Sequence, residues 1–200
     1  MRFNLFIMSL LLYHITNSQS RIGLEQYYYT GHPGTSLVSR LSYQGGDKWY
    51  GEARYNYEEA KTWSLYGGRT FSGEKDLSWS FTPFAGLVMG RLKGGSAGLN
   101  LSLGYKKLSF SSASQYTFSA EDRHCNFFFT WSELGFQLSS RIYAGLAIQQ
   151  TTLYRTAGKW EPGLQLGFSY KEWGFPFYAF NPTSNNRYFV LGVTRSIDRL

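Results

Sequence analysis

The residues best equipped for acid–base chemistry lie in A-E-D-R-H-C, Ala120 to Cys125, where His124 follows Glu121 and Asp122. A histidine steered by a carboxylate can activate water or a serine, as a hydrolase needs. The pattern sets no serine beside it, and a solvated, charge-rich loop accounts for the cluster without catalysis. His32 sits in T-G-H-P-G-T-S, where Gly and Pro already explain a turn. Gly94-Gly95-Ser96-Ala97-Gly98 matches G-x-S-x-G formally, but a nucleophile elbow joins a strand to a helix, and here a strand follows. No His or Cys spacing suits a transition metal and no acidic loop suits Ca²⁺, so no cofactor is expected. Cys125 is the single cysteine, which rules out an internal disulfide.

A different group of polar residues is placed by periodicity. In W-Y-G-E-A-R-Y-N-Y-E, Trp49, Gly51, Ala53, Tyr55 and Tyr57 share one parity, and Tyr50, Glu52, Arg54, Asn56 and Glu58 the other. Successive side chains of a strand point to opposite faces, so one face is greasy and one charged. Similar alternation runs through 96–105, 108–119, 141–154 and 161–171, which leaves little room for helices. Short Gly-rich or polar breaks at 45–47, 73–76, 106–107 and 171–174 read as turns. The fold class that follows is all-β: an antiparallel up-and-down barrel of about twelve strands. The weak first segment, Ile22 to Tyr29, leaves ten or eight strands open. Phe127-Phe128-Phe129 is apolar on both parities, which suggests a bulge or an extension beyond the membrane, and Pro83 inside a strand pattern suggests another bulge.

Which face is buried follows from sizes. Many runs are 10–14 residues long, against the five or six common in globular sheets and the roughly nine to eleven that cross a bilayer. The apolar faces end in Trp49, Tyr57, Trp63, Phe71, Trp79, Tyr105, Phe118 and Tyr170, as expected of the two aromatic girdles of a membrane barrel. The opposite faces carry Gly, Ser, Thr, Asn, Gln and a few charges, too polar for a dry core but suited to a hydrated lumen. Arg40, Tyr50, Glu52, Arg54, Glu133, Tyr143 and Glu161 are the expected lumen-lining or ligand-binding residues, with Arg40, Glu133 and Glu161 as candidate ion-pair partners for Glu52 and Arg54. Inward Gly98, Ser102, Gly104, Ser109, Ser111, Gly145, Gly163 and Gly167 favour open space.

Residues 1–20 read as a secretory signal, with Arg2, an apolar stretch from Phe3 to Ile15 and small residues at Ser18 to Ser20; residues 21–200 form the barrel domain. Aromatics make up 19% of the chain, far too many for disorder. The formal charge of +7 is dispersed over turns and strand ends, not gathered into a nucleic-acid stripe, and suits anionic lipopolysaccharide better.

The W-Y-G-E-A-R-Y-N-Y-E strand, Y-G-G-R-T-F at Tyr66 to Phe71 and the closing F-V-L-G-V-T-R-S-I at Phe189 to Ile197 resemble small outer-membrane β-barrels of Bacteroidota. Such families mostly lack an assigned function, so the resemblance implies fold and outer-membrane location. The last strand resembles the signal read by the barrel-assembly machinery, although it continues through Asp198, Arg199 and Leu200 where many barrels stop on an aromatic. The expected role is passive: a narrow pore, a small-ligand pocket or envelope structure. A hydrolase or lipid-modifying enzyme built on His124, and a soluble lipocalin-like periplasmic barrel, are the alternatives.

Overall fold

The computed structural model describes residues 20–31 and 34–199, so most of the expected signal segment, and His32, lie outside the described residues. Thirteen strands form one antiparallel sheet: β1 (Ser20–Gly31), β2 (Ser36–Gln44), β3 (Trp49–Tyr55), β4 (Thr62–Arg69), β5 (Phe71–Glu74), β6 (Ser78–Gly90), β7 (Gly94–Tyr105), β8 (Leu108–Ser119), β9 (Phe127–Gln137), β10 (Ile142–Leu153), β11 (Lys159–Tyr170), β12 (Trp173–Phe180) and β13 (Tyr188–Arg199). β4 and β5 pair in turn with β6 and make one interrupted stave. β1 pairs with both β2 and β13, and β4 with β6, so twelve staves close on themselves. Closure leaves no sheet edge, the condition for a sheet to span a bilayer. The weak first segment is a full stave, paired along its length on both sides.

Twelve residues at about 3.3 Å each make a strand of roughly 40 Å, which at the usual tilt crosses the bilayer's apolar core. The end that carries the described termini has connections of two to four residues, and the opposite end three to seven. That asymmetry is the one expected of periplasmic turns and extracellular loops.

The two faces are distributed inside out. Glu52, Arg54, Thr62, Ser64, Ser96, Gln115, Thr117, Gln149 and Glu161 are buried, whereas outward Leu24, Leu41, Leu65, Leu87, Leu146, Leu164 and Leu191 are 43–63% exposed. Such a leucine belt would drive aggregation in water and is at home only in lipid. Around its lower edge Arg69 lies over Trp49, Lys106 over Tyr105, Arg141 over Tyr170 and Arg195 over Trp173, cations set against girdle rings.

Two local expectations are corrected, and at Phe127 to Phe129 one of two alternatives is removed. The strand over 48–58 ends at Tyr55, because Asn56 adopts a left-handed φ of 58° and breaks the alternation. Tyr57 therefore does not join the lipid girdle but turns into the lumen with Glu58. Phe127 to Phe129 contain no bulge: β9 keeps one register with β8 and β10, with Phe128 outward and Phe127 and Phe129 inward. Pro83 adds no residue either; its register with β7 is unbroken. Pro83 has no N–H, and the pairing on its other side lapses between Gly68↔Phe84 and Phe71↔Phe81, which separates β4 from β5.

Candidate functional site

All seven residues expected to line the lumen point into it. Arg40 on β2 donates from Nη1 to Glu25 Oε1 (3.2 Å) and from Nη2 to Tyr50 Oη (3.0 Å) and Glu52 Oε2 (3.2 Å). Arg54, two residues beyond Glu52 on β3, donates from Nε to Glu52 and from Nη1 to Glu58 Oε1 at 3.1 Å. Its Nη1 also donates to Gln115 on β8, four staves round the barrel, so this side chain bridges the lumen. The guanidinium lies 4.2 Å from the Tyr57 ring centroid and 4.6 Å from that of Tyr66. Glu58 accepts in addition from Ser64 and from the Tyr66 hydroxyl at 2.7 Å.

Arg40, Tyr50, Glu52 and Arg54 come together, and of the three expected partners Arg40 does pair with Glu52. Glu133 and Glu161 pair with neither arginine; Glu25 and Glu58 take those places. Glu25 lay on the inward parity of the first segment and was legible there. Glu58 was assigned to the charged face but not to Arg54, since its contact depends on the bend at Asn56.

The opposite wall is aromatic. Trp131, Tyr178, Phe180, Tyr188 and Val190 form a buried cluster inside the barrel, joined by Tyr27, Tyr29 and Phe129. Tyr178 and Phe180 stack at 5.9 Å and Phe180 and Tyr188 at 5.1 Å, with Trp131 edge-on to Tyr178 at 5.0 Å. Tyr178 donates its hydroxyl to Glu133 Oε1 (2.9 Å), Gln165 donates to Glu133 Oε2 (3.0 Å), and Tyr188 donates to Gln149 Oε1 (3.0 Å). β12, W-G-F-P-F-Y-A-F, is apolar on both parities, so periodicity gave no sign that Tyr178 and Phe180 face inward.

Glycines set opposite these rings do not leave open space. A Cβ on Gly98 would strike Phe84, one on Gly163 would strike Phe180, and one on Gly167 would strike Tyr143. Those glycines accommodate neighbouring rings, whereas Ser102, Ser109 and Ser111 do border free volume.

That volume has three parts. A cavity of about 570 Å³ occupies the short-turn half and is lined by Glu25, Tyr27, Arg40, Tyr57, Asn100, Trp131, Glu133, Tyr143 and Tyr178, among others. At the loop end, one vestibule of about 420 Å³ includes Gln149, Lys159, Glu161 and Tyr188, and another of about 520 Å³ includes Glu58, Gln115, Phe127 and Phe129. Tyr57 lines both the first cavity and the larger vestibule, and its ring meets Phe129 edge-on at 6.0 Å. Among the described residues, the partition between the two halves is made of side chains.

His124 and Cys125 sit in a short 3₁₀ turn (Arg123–Cys125) at the loop end. Asp122 caps that turn by accepting from the His124 backbone N–H, and the imidazole packs against Tyr154 at 5.8 Å. Glu121 is engaged with Lys93 at 2.8 Å, a hydrogen bond that raises the Lys93 ammonium above its ordinary range. Ser119 accepts from the backbone N–H groups of Glu121 and Asp122. Glu121, Asp122 and Ser119 are thus engaged in local loop structure, while His124 and Cys125 border the larger vestibule. Ser96, the centre of the G-x-S-x-G match, lies inside β7 and donates to the Tyr116 carbonyl at 3.1 Å.

No protein-family model matches the chain, and no curated protein matches its sequence. Solved structures do resemble it. The KdgM porin superposes with a TM-score of 0.62 at 12% identity, covering 88% of this chain and 99% of that one. A structure of the KdgM porin in complex with disordered oligogalacturonate gives 0.61 at 12%, covering 88% and 99%. The NanC porin gives 0.60 at 10%, covering 90% and 100%. The likeness is one of fold. The chain is a closed, twelve-stave antiparallel barrel of the kind those porins adopt.

Proposed function

We propose that this protein is an outer-membrane barrel that lets small polar solutes cross passively, holding them briefly in its lumen. The observation that carries the reading is the inverted barrel with a polar lumen, its cavity of about 570 Å³ divided from the outer vestibules, among the described residues, by side chains. Rearranging those side chains joins the two halves without unfolding any stave. Tyr57, on the connection between β3 and β4, borders both the inner cavity and the larger vestibule and packs against Arg54 and Phe129. The fold shared with the KdgM and NanC porins supports the same role.

The rest of the reading follows from location. Residues 1–20 direct export and are removed, the barrel-assembly machinery inserts the chain through its last strand, and basic loop residues meet anionic lipopolysaccharide. Kinship with the small barrels of Bacteroidota belongs to the same proposal, as does a non-enzymatic role. A soluble lipocalin-like barrel is disfavoured by the outward leucines, which water would not tolerate. Liposome swelling with neutral sugars of increasing size tests the pore. Swelling that is fast for pentoses and slower for each larger sugar is expected; swelling no faster than that of protein-free liposomes, with folded barrel inserted, would remove the reading.

A further inference from the structure

We infer that the lumen prefers solutes carrying a protonated amine and disfavours acidic ones, with Glu133 as the residue that decides. This rests on the pore reading above. The large cavity has three charged wall residues, Glu25, Arg40 and Glu133. Arg40 is already held by Glu25 and Glu52, and Arg54 behind it by Glu52 and Glu58. Among the described residues no ion pair includes Glu133, which receives neutral donors, the Tyr178 hydroxyl and the Gln165 amide among them. Among the described residues lining this cavity the one cation is ion-paired, whereas the Glu133 carboxylate faces no cation.

The surroundings of Glu133 match an amine in two further respects. Tyr27, Trp131, Tyr143 and Tyr178 border the same cavity, and aromatic faces attract desolvated cations. Trp131 also lies in register with Ala113, and Ala113 with Asn100, so one row of the wall carries Trp131 and Asn100 two strand spacings, about 10 Å, apart. Asn100 Oδ1 is buried there without a hydrogen-bond partner among the described residues, and Trp131 is 8% exposed. A buried acceptor left open favours an ammonium donor. An amine on a polyhydroxylated frame, an amino sugar or amino alcohol, supplies one.

Glucosamine, glucose and glucuronate offer nearly one shape in three charge states. Proteoliposomes should pass them in the order glucosamine, glucose, glucuronate, with at least a several-fold gap between first and last. Glu133→Gln keeps an acceptor for Tyr178, and in that variant glucosamine should fall to the rate of glucose. Equal rates for all three sugars, or glucuronate first, would overturn the inference while leaving the pore intact. If no sugar crosses, the pore reading fails, and calorimetric titration of glucosamine onto the detergent-solubilised barrel decides instead. Binding that weakens at least tenfold in Glu133→Gln upholds the inference, and absent or unchanged binding overturns it. A shift in gel mobility on heating confirms that each variant is folded.

Discussion

Arg54→Gln is the substitution that probes the lumen most sharply. The Arg54 side chain is 2% exposed and its partners Glu52 and Glu58 are fully buried. Removing one member of a buried ion pair costs about 3–5 kcal/mol, because the other charge is left without compensation. The structure places this case near the lower end. Glu52 keeps Arg40, whose Nη2 lies 3.2 Å away, and Glu58 keeps the Tyr66 hydroxyl at 2.7 Å. Glu58 nevertheless loses its only cation among the described residues, and the Tyr57 and Tyr66 rings lose the guanidinium between them. A loss of about 3 kcal/mol follows, roughly a hundredfold in the folded-to-unfolded ratio. Equilibrium urea unfolding in phospholipid vesicles at fixed ionic strength measures it. Adding Glu58→Gln removes the stranded charge, so the double variant should recover about 1–2 kcal/mol, within the range of coupling for contacting residues. If Arg54→Gln costs under about 1 kcal/mol and the double variant is no better, the bridge is solvated and does not partition the lumen.

Ala53 adjoins Arg54 in sequence but pairs with the lipid-facing Leu41 and Leu65, so Ala53→Arg should cost about 2–4 kcal/mol near the midplane in the same unfolding assay. Tyr57→Ala should raise solute flux through proteoliposomes several-fold, since it takes away the side chain shared by inner cavity and vestibule, and should lower the unfolding midpoint because the ring's contacts with Arg54 and Phe129 go with it. Gly86→Ala should destabilise by about 1–3 kcal/mol, because a Cβ there meets the Leu65 backbone, which cannot move aside as a side chain would.

Much of the barrel could be read from alternation alone. Leu99, Leu101 and Leu103 on β7, and Leu164, Leu166 and Phe168 on β11, alternate strictly with small or polar residues, and a period of two admits only one inward face. The same rule placed Arg40, Tyr50, Glu52, Arg54, Glu133, Tyr143 and Glu161 inside. It failed where one residue leaves the β-region: the left-handed Asn56 reverses the side of Tyr57, and no pattern in R-Y-N-Y-E announces it. It was silent where both parities are apolar, as on β12 and at Phe127 to Phe129. Pairings across the lumen, such as Arg54 with Gln115 or Tyr178 with Glu133, depend on barrel closure and side-chain reach, which a strand-by-strand pattern does not contain.

Single-channel recording distinguishes an open pore from a closed barrel. Purified, refolded barrel added to a planar bilayer should give discrete conductance steps, and Tyr57→Ala should enlarge them. A barrel that inserts and shows its heat-dependent gel shift, yet gives no steps in either form, would contradict the account and leave a closed, structural barrel in its place.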